Sequence, residues 1–147
     1  METLEFKIRI KAPAEKVWNI LWAEETYKKW TGAFCEGSYA VSDWNEGDKI
    51  HFMSPGGEGM NSIIETKIPN EYMAFKHIGE IKDFKELPVD EETKKWSGAM
   101  ETYRLTPDDE FTDLAAQVDV VEKYLDYFKE AFPKGLETVK ELAEDRE

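Results

Sequence analysis

Seven apolar residues near the end of the chain, Val121, Leu125, Phe128, Phe132, Leu136, Val139 and Ala143, recur at steps of four, three, four, four, three and four. That spacing lays one continuous stripe along an α-helix, with Glu, Lys and Asp on the other faces. A helix over residues 121–144 is about 35 Å long at about 1.5 Å per residue. A stripe of that length must be covered by a broad apolar surface. Pro133 interrupts the pattern: it has no N–H and costs about 3 kcal/mol inside a helix. Gly135 weakens the same turn. The sequence therefore predicts a kinked helix, the alternative being a short helix that hands over to a longer one starting near Pro133. Either keeps Phe128, Phe132 and Leu136 close together.

The preceding residues can supply the covering surface. Leu4, Phe6, Ile8 and Ile10 alternate with charged residues, the pattern of a strand with one wet face. After Ala12-Pro13 the period changes, and Ala14, Val17, Trp18 and Leu21 mark a short amphipathic helix. A second short helix is expected over residues 24–30, stopped by Thr31-Gly32. Strands are expected at residues 38–44, 49–54, 60–68, 72–80, 96–105 and 111–120, separated by turns rich in Gly, Pro, Asn and Asp. The polar stretch 81–95 reads as a long loop, a mobile flap able to cover an entrance. Strands kept apart from helices in this order imply an α+β domain: a curved antiparallel sheet of six or seven strands around the C-terminal helix.

Length and charge narrow the function. With 147 residues the chain is expected to form a single domain over residues 1–147. Acidic residues outnumber basic ones 32 to 19, for a net charge of −13. Phosphate contacts are made by Lys and Arg, so nucleic acid and anionic membrane surfaces are poor partners. No apolar run approaches the roughly 20 residues of a membrane span, and no signal peptide is visible at the N-terminus. The single cysteine, Cys35, cannot form an internal disulfide. These features predict a reduced, cytoplasmic setting.

Several stretches in chain order resemble the START-like superfamily, also called SRPBCC or helix-grip, and within it the activator of heat-shock protein 90 ATPase homologue family. Ile10-x-Ala12-Pro13-Ala14-Glu15-Lys16-Val17-Trp18 is similar to that family's first strand and helix. Trp30 falls where a tryptophan commonly ends its second helix. Gly47-Asp48-Lys49-Ile50 and Ile64-x-x-x-Ile68-Pro69-Asn70-Glu71 resemble its central hairpins. Phe132-Pro133-x-Gly135-Leu136-x-x-x-Lys140-Glu141-Leu142 resembles its final helix, proline included. The resemblance runs over nearly the whole chain and rests on the series rather than on any single motif. It implies a sheet gripping the C-terminal helix, often around a cavity. Superfamily members bind lipids, sterols, polyketides or other apolar molecules there, some are cyclases or hydrolases, and the ATPase activators bind a chaperone through their surface.

The residues that could carry chemistry are few. His51, His77 and Cys35 are too scattered to read as a metal motif. There is no nucleophile elbow, phosphate loop or dinucleotide fingerprint, and Gly56-Gly57-Glu58-Gly59 reads as a turn. Neither a metal nor a cofactor is expected. Strand parity puts Met73, Phe75 and His77 on one face, and likewise Glu101, Tyr103 and Leu105. If those faces meet the helix, His77 and Glu101 are polar groups in an apolar pocket, where they would orient a ligand, pair with each other or transfer protons; otherwise they are strand-end groups partly in water. Trp30, Phe52, Phe75, Tyr103, Phe128 and Phe132 are candidates to line a cavity, and Leu136 to complete the helix wall, with plain core packing as the alternative. The first expectation is a non-catalytic protein that binds a small apolar or amphipathic molecule. A chaperone-binding domain ranks second and a cyclase- or hydrolase-like enzyme third.

Overall fold

The computed structural model describes residues 1–145. Strand β1 (Glu2–Ile10) is followed by helices α1 (Ala14–Trp22) and α2 (Glu24–Thr31). Four strands come next: β2 (Tyr39–Val41), β3 (Lys49–Met53), β4 (Gly59–Ile68) and β5 (Tyr72–Lys82). The chain then forms β6 (Lys85–Glu86), α3 (Glu91–Lys94), β7 (Met100–Asp108) and β8 (Phe111–Val120), and ends with a 3-10 turn at Glu122–Tyr124 and α4 (Leu125–Glu144). All pairings are antiparallel, in the order β1-β8-β7-β5-β4-β3-β2, with β6 added to β5. Helix α4 packs against β1, α1 and α2. This is the helix-grip arrangement expected from the sequence, with eight strands among the described residues.

The local causes are legible. Pro13 sits in extended conformation at the cap of α1, where its lost N–H is of no consequence. Ala23 is extended too; it ends α1 and begins α2, so the two helices form a corner without a linker. Val17, Trp18, Ile20 and Leu21 bury one side of α1. On β1, Ile10 is buried and Leu4, Phe6 and Ile8 are half-buried, while their neighbours are exposed. Phe6 thereby stacks on Phe132 of α4, ring centroids 4.9 Å apart and planes 9° from parallel.

Helix α4 runs unbroken through Pro133, so the hand-over between two helices does not occur. Pro133 and Lys129 one turn earlier are both exposed, which places the missing hydrogen bond on the wet face, where water can take it. Ahead of α4, Val121 precedes the 3-10 turn, and the α-helix begins at Leu125. Gly135 plays a larger part than its low helix propensity suggests. A Cβ there would lie 3.1 Å from the Trp30 carbonyl oxygen and 3.3 Å from the Phe34 ring. Its absence lets α4 close onto the end of α2.

Other expectations are corrected. The strand at 38–44 shrinks to Tyr39–Val41, because Trp44 adopts a positive φ of 64° and its ring turns in against Trp22, Tyr27 and Phe75. Residues 81–95 are not a loop. β5 continues to Lys82, Asp83 and Phe84 make a tight turn with φ of 53° and 64°, and β6 returns. Asp90 then caps α3 by accepting from the Thr93 amide at 2.8 Å. The strand expected from 96 starts instead at Met100 and extends to Asp108, so the reversal falls at Asp109 and Glu110.

Candidate functional site

The N-terminal half of α4 does not lie flat on the sheet. Between it, the end of α2 and strands β3, β4, β5 and β7 is a cleft of about 410 Å³. Helix α2 contributes Tyr27, Trp30 and Thr31, followed by Phe34. Helix α4 contributes Tyr127, Phe128 and Phe132, and the sheet contributes Phe52, Met60, His77, Glu101 and Tyr103. The aromatic rings form one connected wall: Trp30 meets Tyr27, Phe34 and Tyr103 edge-on at 5.6, 6.3 and 6.0 Å. Phe34 meets Phe132 edge-on at 4.9 Å, a geometry that the ring quadrupoles favour. The indole N–H of Trp30 donates to the Leu21 carbonyl at 3.0 Å, so this buried ring leaves no polar atom unpaired.

One chain of polar side chains runs from within the sheet to the cleft. Ser62 on β4 pairs in register with His77 on β5, and Glu101 on β7 lies opposite Phe75, diagonal to His77. Ser62 Oγ is 2.7 Å from His77 Nδ1, and His77 Nε2 is 3.1 Å from Glu101 Oε1. The Tyr103 hydroxyl donates to Glu101 Oε2. His77 thus links the two polar partners, one through each ring nitrogen, and no ring nitrogen is left unpaired. Burial, and next the negative charge of Glu101, push the phenol pKa values of Tyr27 and Tyr103 up, so both remain protonated donors.

The order serine, imidazole, carboxylate invites comparison with a nucleophilic triad. Ser62, however, is fully buried and does not line the cleft. It anchors His77 and is out of reach of a bound molecule. Ser62→Ala is accordingly expected to cost about 1–2 kcal/mol, because a buried imidazole nitrogen loses its partner. Urea denaturation measures this; an unchanged midpoint would show that the serine bears no part of the network.

Seven of the nine residues singled out from sequence meet at this cleft: Trp30, Phe52, His77, Glu101, Tyr103, Phe128 and Phe132. Phe75 and Leu136 do not line it. Both are buried in the core, Phe75 behind Phe52 at a ring distance of 5.0 Å. Leu136 follows Gly135, where α4 is pressed onto Trp30 and leaves no gap. The flap expected at residues 81–95 contributes nothing to the cleft. Its mouth is bordered instead by Ser54, Glu58, Gly59 and Met60, and by Tyr127, whose hydroxyl donates to the Phe34 carbonyl. A second hollow of about 390 Å³ adjoins it across Met60, Tyr127 and Phe128, and Ile81 is its single contributor from 81–95.

Sequence reasoning passed over Tyr27, although it sits one turn before Trp30 on the same helix face. It also missed Ser62, whose partnership with His77 depends on a register shift between Asn61 and Ser62. Among the described residues no group of three or more His, Cys, Asp or Glu side chains is placed to hold a metal ion. No helix among them is long and apolar enough to cross a membrane.

The family model for Activator of Hsp90 ATPase homolog 1-like protein matches residues 11–143. Among solved structures, the solution structure of the Aha1 dimer from Colwellia psychrerythraea aligns over 98% of this chain and 97% of its own, with 20% identity and a TM-score of 0.74. Protein MLL2253 from Mesorhizobium loti aligns over 99% of both chains, with 15% identity and a TM-score of 0.77. CalU16 from Micromonospora echinospora aligns over 97% of this chain and 76% of its own, with 14% identity and a TM-score of 0.66. At such identities these likenesses speak to the fold. No curated protein matches the sequence.

Proposed function

We propose a function from the premise that this chain belongs to the Activator of Hsp90 ATPase homolog 1-like family: it is a binding protein that holds a small apolar or amphipathic molecule between the sheet and α4. The observation that carries this reading is the aromatic-walled cleft with one buried polar chain ending in it. Ligand sites are typically concave, mostly apolar and furnished with a few polar groups that set orientation. In this reading Trp30, Phe52, Tyr103, Phe128 and Phe132 grip the apolar body, and His77 and Glu101 orient its polar end. Phe75 and Leu136 support that wall from behind.

Native mass spectrometry of freshly purified protein, set against its denatured mass, tests it. An added mass that disappears on denaturation is the expected result and names the ligand class. A bare mass, together with no saturable uptake of an apolar reporter dye, counts against it. The family description supports a second reading, a chaperone as partner, with the net charge of −13 contributing electrostatic complementarity. Salt-sensitive co-purification of a chaperone, kept when the cleft is occupied by a bound dye, would favour that surface role.

A further inference from the structure

We infer that the molecule taken up by the cleft is an organic cation, an ammonium-bearing amphiphile whose charged head seats against Glu101. This rests on the binding reading above and adds the charge of the ligand to it. Among the described residues, Glu101 and Glu58 line the cleft, and no Lys or Arg does. Glu101 keeps only 22% of its side-chain surface in solvent. Its hydrogen-bond partners are an imidazole and a phenol, so the carboxylate is held in place without a Lys or Arg beside it. Each carboxylate oxygen has used one of its two acceptor sites and retains another. Withdrawing such a group from water without a counter-charge is costly, and a ligand cation supplies the counter-charge.

The walls agree with this. Tyr103 donates to the carboxylate, and Trp30 meets both Tyr103 and Tyr27 edge-on, all three lining the cleft; aromatic rings attract ammonium groups through their quadrupoles. Phe34, Phe52, Phe128 and Phe132 offer only apolar surface to a tail. A fatty acid would bring its carboxylate against two others with no cation between them. A neutral amphiphile would cover Glu101 and leave its charge unanswered.

The test is calorimetric titration of the protein with decylammonium, decanol and decanoate, each below its aggregation concentration. The ammonium is expected to bind about tenfold more tightly than the alcohol, and decanoate most weakly. Glu101→Gln should bring ammonium and alcohol to within about twofold of each other. Should that variant fail to fold, Glu58→Gln at the exposed mouth is expected to reduce the preference by about twofold. Alcohol or decanoate binding as tightly as the ammonium would overturn the cationic ligand and leave the cleft-binding reading standing. An ammonium preference that survives both variants would also overturn it, by tracing the attraction to the acidic surface at large. Failure of all three probes to bind would sink both.

Discussion

Phe132→Ala is expected to destabilise the protein by about 3–5 kcal/mol, the range for removing a large buried aromatic ring. Phe132 is only 1% exposed and is the point where three parts of the chain meet. Phe6 of β1 stacks on one side at 4.9 Å, Phe34 meets it edge-on at 4.9 Å, and Tyr103 of β7 lies at 6.4 Å. Truncation would leave a void next to the cleft that cannot collapse without moving α4. The measurement is urea unfolding with a lowered midpoint and an unchanged slope. Phe132→Leu, which keeps most of the volume, should recover the greater part of the loss. A cost for alanine of under about 1 kcal/mol would mean that the site closes up freely, which a wall fixed by three partners should not allow.

Gly59→Ala is the second. The added Cβ would overlap the backbone carbonyl oxygen of Phe52 and lie 2.9 Å from the Met53 sulfur. Gly59 is paired with Met53 at the last rung between β3 and β4, so relief requires the two backbones to separate at the mouth of the cleft. Overpacking of this kind costs about 1–3 kcal/mol, and the upper end is expected because the obstacle is backbone rather than a flexible side chain. Gly56→Ala is the control: the nearest atom to its added Cβ is a Glu58 carboxylate oxygen at 4.0 Å, and the effect should stay within about 0.5 kcal/mol. A pair of thermal or urea melts decides. Equal midpoints for the two variants would show that β3 and β4 are not in the close contact described.

Both variants act where distant segments touch, and that locates what could be read from the chain in advance. Alternation along β1 and the four-three stripe of α4 are properties of one segment at a time. They placed Phe128 and Phe132 on the inward face before any neighbour was known. Strand parity likewise put His77 and Glu101 on the faces where they meet. The polar stretch 81–95 misled because hydrophilic composition does not forbid a short exposed hairpin. The φ angles of 53° and 64° at Asp83 and Phe84 make one, and aspartate tolerates that conformation while phenylalanine seldom does.

Periodicity is a local, one-dimensional signal, and it was sufficient for an α+β domain with a mostly antiparallel sheet and a long C-terminal helix, and for the inward face of the main elements. The helix-grip class came from the series of motifs that resembles a known family. Periodicity could not say which inward residues would form solid core and which would border a cleft, because both use the same apolar side chains. That was decided by close approaches between segments far apart in the chain. Gly135 draws α4 onto Trp30 and seals Leu136 away. The shift between Asn61 and Ser62 sets a serine behind His77. Distances of a few ångströms between such segments depend on every packed layer at once, and no single stretch of sequence contains them.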